Sequence, residues 1–413
     1  MYVLILATIV VTLVIIVILI SSGTVKPPIT QQSENPSLSY DQSSSSCSVD
    51  KDPTRTYSLS TQGLSHLLPK TSFQRSGGSS YEQLISENVY EVDIGRYTCT
   101  AGNERTSNIT NEPKYILSET PPIGLYNMSV KKIEDGYSGV VRGSTWNGCC
   151  DNNQAPAFSY PYSIVLDETG IIKDLHRIDL DYTDLSNCTE CFQNIYANGI
   201  EDPRLFSFKG QDWIIGNCLG SSKQPHPCVN AMCIFKISDP ITSFRVLIPP
   251  IGVGAMQRQK NWSPFVWEDK LYCEYSIKPH IIFKIDVETG LTEELYRTGD
   301  TSVDITADDS LRGGTPPVLI ELVGRKLFLG IGHIRSSSTS DYLHFLYTFE
   351  AEPPFKVNKI TRVFKLDKAE KIQFAAGLSA LNDNIYISYG VDDCYNRISV
   401  YNLQRILTLL DLE

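Results

Sequence analysis

Glu201-Asp202-Pro203-Arg204 sets two carboxylates, a rigid turn and a cation side by side. A strand pattern follows at once, through Leu205, Phe206 and Phe208 and then Trp213, Ile214 and Ile215. Carboxyl pairs deliver protons and stabilise an oxocarbenium-like state in glycosyl transfer. Cations hold an anion, Arg in bidentate fashion and Lys as a point charge. Adjacent side chains on an extended segment face opposite ways. Glu201 and Asp202 therefore meet one sugar only if the backbone bends, and Pro203 makes an irregular entry plausible.

Other groups of this kind recur downstream. Lys260-Asn261-Trp262 offers a cation and an indole face on which a sugar ring stacks, or an aromatic that packs between sheets. Arg312 precedes Gly313-Gly314-Thr315, where the glycines let backbone amides approach an anion or sugar closely. His333 and His344 follow on strand patterns, where a histidine is either a site contact or a satisfied structural residue. Tyr389-Gly390-Val391-Asp392-Asp393 supplies two further carboxylates, for activating water or simply for solvating a turn. Phosphate-binding and dinucleotide glycine loops and a G-x-S-x-G nucleophile are absent from the sequence. No cofactor and no metal are expected, with inorganic phosphate or a sugar donor as possible substrates.

These groups need a scaffold that brings distant residues together. From about residue 120 five units repeat: a strand, a polar turn, a second strand and further strands. Their inner parts are KIEDGYSGVV, SFKGQDWIIG, VWEDKLYCEY, ELVGRKLFLG and ALNDNIYISY. Such units cannot bury both faces alone, and radial stacking buries them while protecting edges. The fold class expected is all-β, a five-bladed β-propeller over residues 120–413. Each conspicuous group stands at the start of a blade's innermost strand, near the central axis, so dispersed residues become one candidate site.

The stretches GIEDPRLF (Gly199 to Phe206), KNWSPF (Lys260 to Phe265), GGTPP (Gly313 to Pro317) and ISYGVDDC (Ile387 to Cys394) resemble the five-bladed propeller family of β-mannoside phosphorylases, which also holds β-mannosidases and β-1,2-mannosyltransferases. The resemblance covers about residues 120 to 405. It implies chemistry on a mannoside-type glycan, with phosphorolysis, hydrolysis and transfer all open. It also implies that Asp202 is the catalytic acid, acting directly or through a sugar hydroxyl, with Glu201 orienting the sugar or Arg204. Arg204, Lys260, Asn261, Trp262, Arg312, Gly314, Thr315, His333, Tyr389, Asp392 and Asp393 are the expected substrate-binding residues. A non-catalytic propeller that binds a glycan or receptor is the alternative.

Compartment and ancillary segments follow from the rest of the chain. It has 413 residues, a net charge of -11 and a hydrophobic share of 41%. No basic run is dense enough to neutralise several phosphates, so no nucleic-acid partner is expected. Met1 to Ile20 carries no charge, and a helix of that length spans about 30 Å, the thickness of a bilayer core. Residues 1–22 read as an uncleaved anchor, with 2–20 in the membrane, and a cleaved signal peptide as the other reading. Residues 23–75, rich in Ser and Pro, read as a flexible stalk, and 76–119 as an extension packing on the propeller, with a short strand near Tyr90 to Ile94. Eleven cysteines and four sequons, at Asn108, Asn127, Asn187 and Asn261, suit a secretory compartment. The expectation is a single-pass membrane glycoprotein with its bulk lumenal or extracellular. Cys188-x-x-Cys191 lacks a second metal-ligand pair of similar spacing, so disulfides are preferred to zinc. Asn261 lies in the K-N-W group and is expected to be unglycosylated, whereas Asn108 and Asn127 are the expected acceptors.

Overall fold

A computed structural model describes residues 82–83, 88–92, 124–144, 159–181, 199–219, 230–237, 242–250, 259–299, 311–322, 324–335, 341–367 and 372–412. All of them belong to one compact unit, residues 47–413. The anchor, the stalk, the sequons at Asn108 and Asn187, and seven of the cysteines lie outside the described residues. Among the described residues no helix is long and apolar enough to cross a membrane.

Five sheets form the five blades, antiparallel throughout except where the short outer strands Glu82–Gln83 and Leu180–Asp181 pair in parallel. Their innermost strands are Gly124–Ile133, Glu201–Phe208, Ser263–Trp267, the interrupted pair Arg312–Gly313 and Val318–Leu322, and Gln373–Leu381. Each passes to the second strand of its blade through a tight polar turn. Lys209-Gly210 and Glu268-Asp269 are two-residue loops with left-handed φ at both positions. That backbone twist matches the twist of the flanking strands.

Closure of the ring is visible in the core. Five apolar clusters lie at the five interfaces between successive blades. One joins Val140 of the first blade to Leu205 and Ile214 of the second. Others join Ile215 to Phe283, Phe265 to Phe345 and Leu329 to Ile387. The last joins Ile398 of the fifth blade to Val141 of the first. Each sheet is thus buried on both faces by its neighbours, as the alternating strands require.

Two features fall outside the linear repeat. The fifth blade has three strands of its own, and its fourth is Asn88–Val92, paired antiparallel along Tyr395–Asn402. The segment expected as a packing extension therefore contributes a blade strand. The helix Leu403–Leu409, capped by Asn402, then buries Ile406 and Leu407 against the interface of blades four and five.

The cysteines also differ from expectation. Cys394 takes part in a disulfide, but Cys218, Cys233 and Cys273 are free and buried. They face the cores between blades, where a thiol serves as a small apolar side chain.

Candidate active site

The inner strands break their pairing register where the motifs stand. In the first blade the break lies between Tyr126 and Ser129, and in the second between Glu201 and Arg204. Within these bulges Asn127 has φ 55° and Asp202 φ 49°. Asn261, two residues before the third blade's inner strand, has φ 62°. Asn and Asp tolerate left-handed backbone better than other side chains. A bulge re-aims the side chain it carries, and here three successive blades present a short polar group from the same place. The bend that Glu201 and Asp202 needed is this bulge.

Arg142, on the second strand of the first blade, gathers both carboxylates. Its two terminal nitrogens donate to Asp202 Oδ1 at 3.1 Å and to Glu201 Oε1 at 3.2 Å, and its Nε donates to Ser159 Oγ at 2.9 Å. The guanidinium lies 5.1 Å from the Tyr126 ring centroid. Asn127 Nδ2 donates to Asp202 Oδ1 at 2.8 Å. Glu201 Oε2 accepts from Asn217 Nδ2 at 3.1 Å and lies 3.5 Å from Lys260 Nζ. Motif reading missed Arg142, Asn127 and Asn217. Asn127 is enclosed and hydrogen-bonded to a carboxylate, so the expectation of a glycan there is overturned.

Arg204 turns away from the open part of the site. It is 1% exposed, and it donates to Asn261 Oδ1 at 2.6 Å and to the Trp262 carbonyl at 3.2 Å. Its expected role as an anion ligand is not met, because its hydrogen bonds hold Asn261 in place. Asn261 Nδ2 faces His333 Nε2 at 3.5 Å, which extends the chain of polar contacts from blade two to blade four. Asn261 is buried and engaged on both sides of its amide, in keeping with the absence of a glycan expected there.

Five more expected contacts belong to the interior. Trp262 is 0% exposed and meets Tyr275 and Phe283 edge-on, so the indole is inter-blade packing and no platform. Tyr389 is buried in the core between blades four and five, and its hydroxyl accepts from Ser399 Oγ at 3.2 Å. Thr315 is buried, with its amide donating to the Ile331 carbonyl at 3.2 Å. A Cβ on Gly314 would lie 2.4 Å from that carbonyl, so the glycine serves strand packing and makes no anion cradle. His333 is buried, stacked on Tyr342 and edge-on to Phe374.

Of the remaining residues, Lys260 and Asp393 act on the cluster, whereas Arg312 and Asp392 are placed by their own strands and turns. Lys260 is exposed beside Glu201. Arg312 is exposed and pairs across the strand from His333. Asp392 closes its turn by exchanging hydrogen bonds with the Ile372 backbone, 2.8 Å and 2.9 Å long. Asp393, the next residue, acts electrostatically on Arg142 and Tyr342.

Environment divides the carboxyls. Burial alone would raise Asp202, but Arg142, the Asn127 amide, Arg204 and Lys260 outweigh it and hold the group below the usual range. Burial pushes Asp393 up to about 6. The charges of Asp202, Glu201 and Asp392 add to this, and Arg142 partly offsets it. The same cluster thus pushes two carboxyls in opposite directions.

Burial also holds His333 and His344 neutral, His344 down to about 3. Below about pH 6.5 the unfolded chain protonates these histidines and the folded chain does not. Each should cost about 1.4 kcal/mol of stability per pH unit as the pH falls through this window. Asp393 works in the opposite sense, because the folded state holds its proton more tightly, and offsets about one histidine's share between pH 6 and 4. Denaturant unfolding at about pH 7 and pH 5 should therefore show a net loss of stability with acidification, and a flat profile would contradict the buried neutral pair.

No family model matches the sequence, and no curated protein is similar to it. Solved structures are similar in fold. One is a β-1,2-mannobiose phosphorylase from Listeria innocua in complex with β-1,2-mannobiose, 14% identical, covering 70% of this chain and 92% of that one at a TM-score of 0.49. Another is a glycosyl hydrolase from Bacteroides ovatus, 12% identical, covering 68% and 85% at 0.44. A third is a GDP-Man-dependent mannosyltransferase from Leishmania mexicana, 10% identical, covering 68% and 85% at 0.40. Likeness at these levels is one of architecture alone and carries no statement about this chain's chemistry.

Proposed function

We propose that the propeller is a glycan-active enzyme that moves a β-mannosyl or related glycosyl group from a sugar oxygen to an oxygen acceptor at its axis. The observation that carries this reading is the single guanidinium of Arg142 gathering Glu201 and Asp202, with Lys260 beside them. Carboxylates fixed this way suit the charge that develops at an anomeric carbon. The sugar class rests on the E-D-P-R, K-N-W and G-G-T-P resemblance. Asp202, held ionised, fits the carboxylate that faces the anomeric centre or a sugar hydroxyl. With Arg204 enclosed, the exposed Lys260 beside Glu201 is the cation placed to meet an incoming anion. In this reading residues 1–22 anchor the chain and the propeller works on the lumenal or outer side.

The test is product analysis. The full chain is incubated with β-manno-oligosaccharides alone, with inorganic phosphate, and with GDP-mannose plus an acceptor. Free mannose, mannose phosphate or an elongated oligosaccharide identifies hydrolysis, phosphorolysis or transfer. Binding without any product would leave a glycan-binding propeller in place of an enzyme.

A further inference from the structure

Three carboxyls crowd around two cations at the axis. Arg142 spends its terminal nitrogens on Asp202 and Glu201, and Lys260 lies against Glu201. The amides of Asn127 and Asn217 serve the same two carboxylates. Among the described residues the Asp393 carboxyl has no hydrogen bond or ion pair. Yet it is placed with them. It stands on the turn between Asn384–Val391 and Tyr395–Asn402, at φ 51°. The strands on both sides of that turn meet the blade-one bulge: a Cβ on Gly390 before it would fall 2.0 Å from Asn127 Oδ1, and Asn396 after it accepts from the Met128 amide at 3.0 Å.

The charges that act on Asp393 come from several elements. Arg142 comes from the second strand of blade one, Glu201 and Asp202 from the inner strand of blade two, and Asp392 from its own turn. The Tyr126 and Tyr342 phenols sense both Asp393 and Asp202. Arg142 hydrogen-bonds Asp202 and Glu201 and offsets Asp393 only in part, so the third carboxyl is the least compensated of the three.

We propose that Asp393, rather than Asp202, carries the proton delivered to the leaving sugar oxygen, while Asp202 serves as the ionised partner. This assignment deepens the glycosyl-transfer reading and rests on it. In the step, the bond between the anomeric carbon and the leaving oxygen breaks, its electron pair stays on that oxygen, and the oxygen takes the Asp393 proton. The incoming oxygen, from water, an acceptor hydroxyl or hydrogen phosphate, bonds to the anomeric carbon. The proton that it sheds returns to Asp393 through solvent, so atoms and charge balance. The raised value of Asp393, about 6, agrees with a group that keeps its proton up to about pH 6, where an ordinary aspartate has long lost it.

Asp393→Asn in the full chain tests the assignment, and Asn keeps the left-handed turn. On a β-manno-oligosaccharide, turnover should fall by about 10²–10⁴-fold. On 2,4-dinitrophenyl β-mannoside, whose leaving group needs no proton, the loss should stay within about tenfold. The alkaline limb of the wild-type kcat/KM profile near pH 6 should vanish in the variant, as should one raised carboxyl titration seen by ¹³C NMR of labelled aspartate. Equal losses on both substrates, or a limb that survives the substitution, would overturn the assignment and leave the parent reading standing. A wild-type chain that turns over neither mannoside removes the parent reading and this assignment with it.

Discussion

Asp202→Asn should lower turnover of a β-mannoside by about 10³-fold while the chain stays folded. The substitution removes one negative charge and little else. Asn adopts the left-handed backbone that Asp202 holds, and its carbonyl oxygen can still accept from Asn127 Nδ2 and from Arg142. What disappears is the fixed anion beside the anomeric centre. A second consequence compounds the first. Asp202 is among the charges that raise Asp393, so its neutralisation lowers that group and weakens its hold on the proton. Steady-state kinetics alongside a thermal melt reads both effects. Turnover within tenfold of wild type, in a folded variant, would remove Asp202 from the chemistry.

The largest effect on stability is expected from Arg142→Met. The arginine side chain is 12% exposed, and Glu201 and Asp202 are 21% and 19% exposed. Removing it strands two enclosed carboxylates beside a third, with only Lys260 and Arg204 left nearby. Breaking an enclosed ion pair by deleting one partner costs about 3–5 kcal/mol. The sign of the pH response identifies the cause. The stranded carboxyls would be raised in the folded state, so the penalty should shrink as the pH falls and they take up protons. Adding Glu201→Gln and Asp202→Asn to Arg142→Met should restore part of the loss. Urea unfolding at about pH 7 and pH 5 makes the comparison. A loss below about 1 kcal/mol at neutral pH would mean that Arg142 does not organise the cluster.

The blades were legible in the sequence because each is a local object: a strand, a tight polar turn and another strand within about twenty residues. The positions of Glu201, Asp202 and Lys260 were legible for the same reason, since a motif at a blade entrance must lie near the axis. Arg142 was not, because it sits mid-strand in VVRGS with no neighbouring group to mark it. Its role exists only when blade one meets blade two. Asn127 carried a misleading signal, because Asn-Met-Ser reads as a glycan acceptor until the bulge turns its amide onto Asp202. Arg204 and Trp262 stood in the right motifs but point into the interior, a direction that residue type alone does not give. The outer strand of blade five, Asn88–Val92, pairs with a segment at the far end of the chain, and nothing local announces that partner.

The account stands on one placement: a sugar held at the axis by the carboxyls of the second and fifth blades around Arg142 of the first. A crystal structure of the chain with mannose and phosphate measures it directly. The expected result is a mannose ring within hydrogen-bonding reach of Asp202 and Asp393, with phosphate on the Lys260 side. A mannose bound on the outer rim, with the axial cluster still closed on its own salt bridges, would contradict the account.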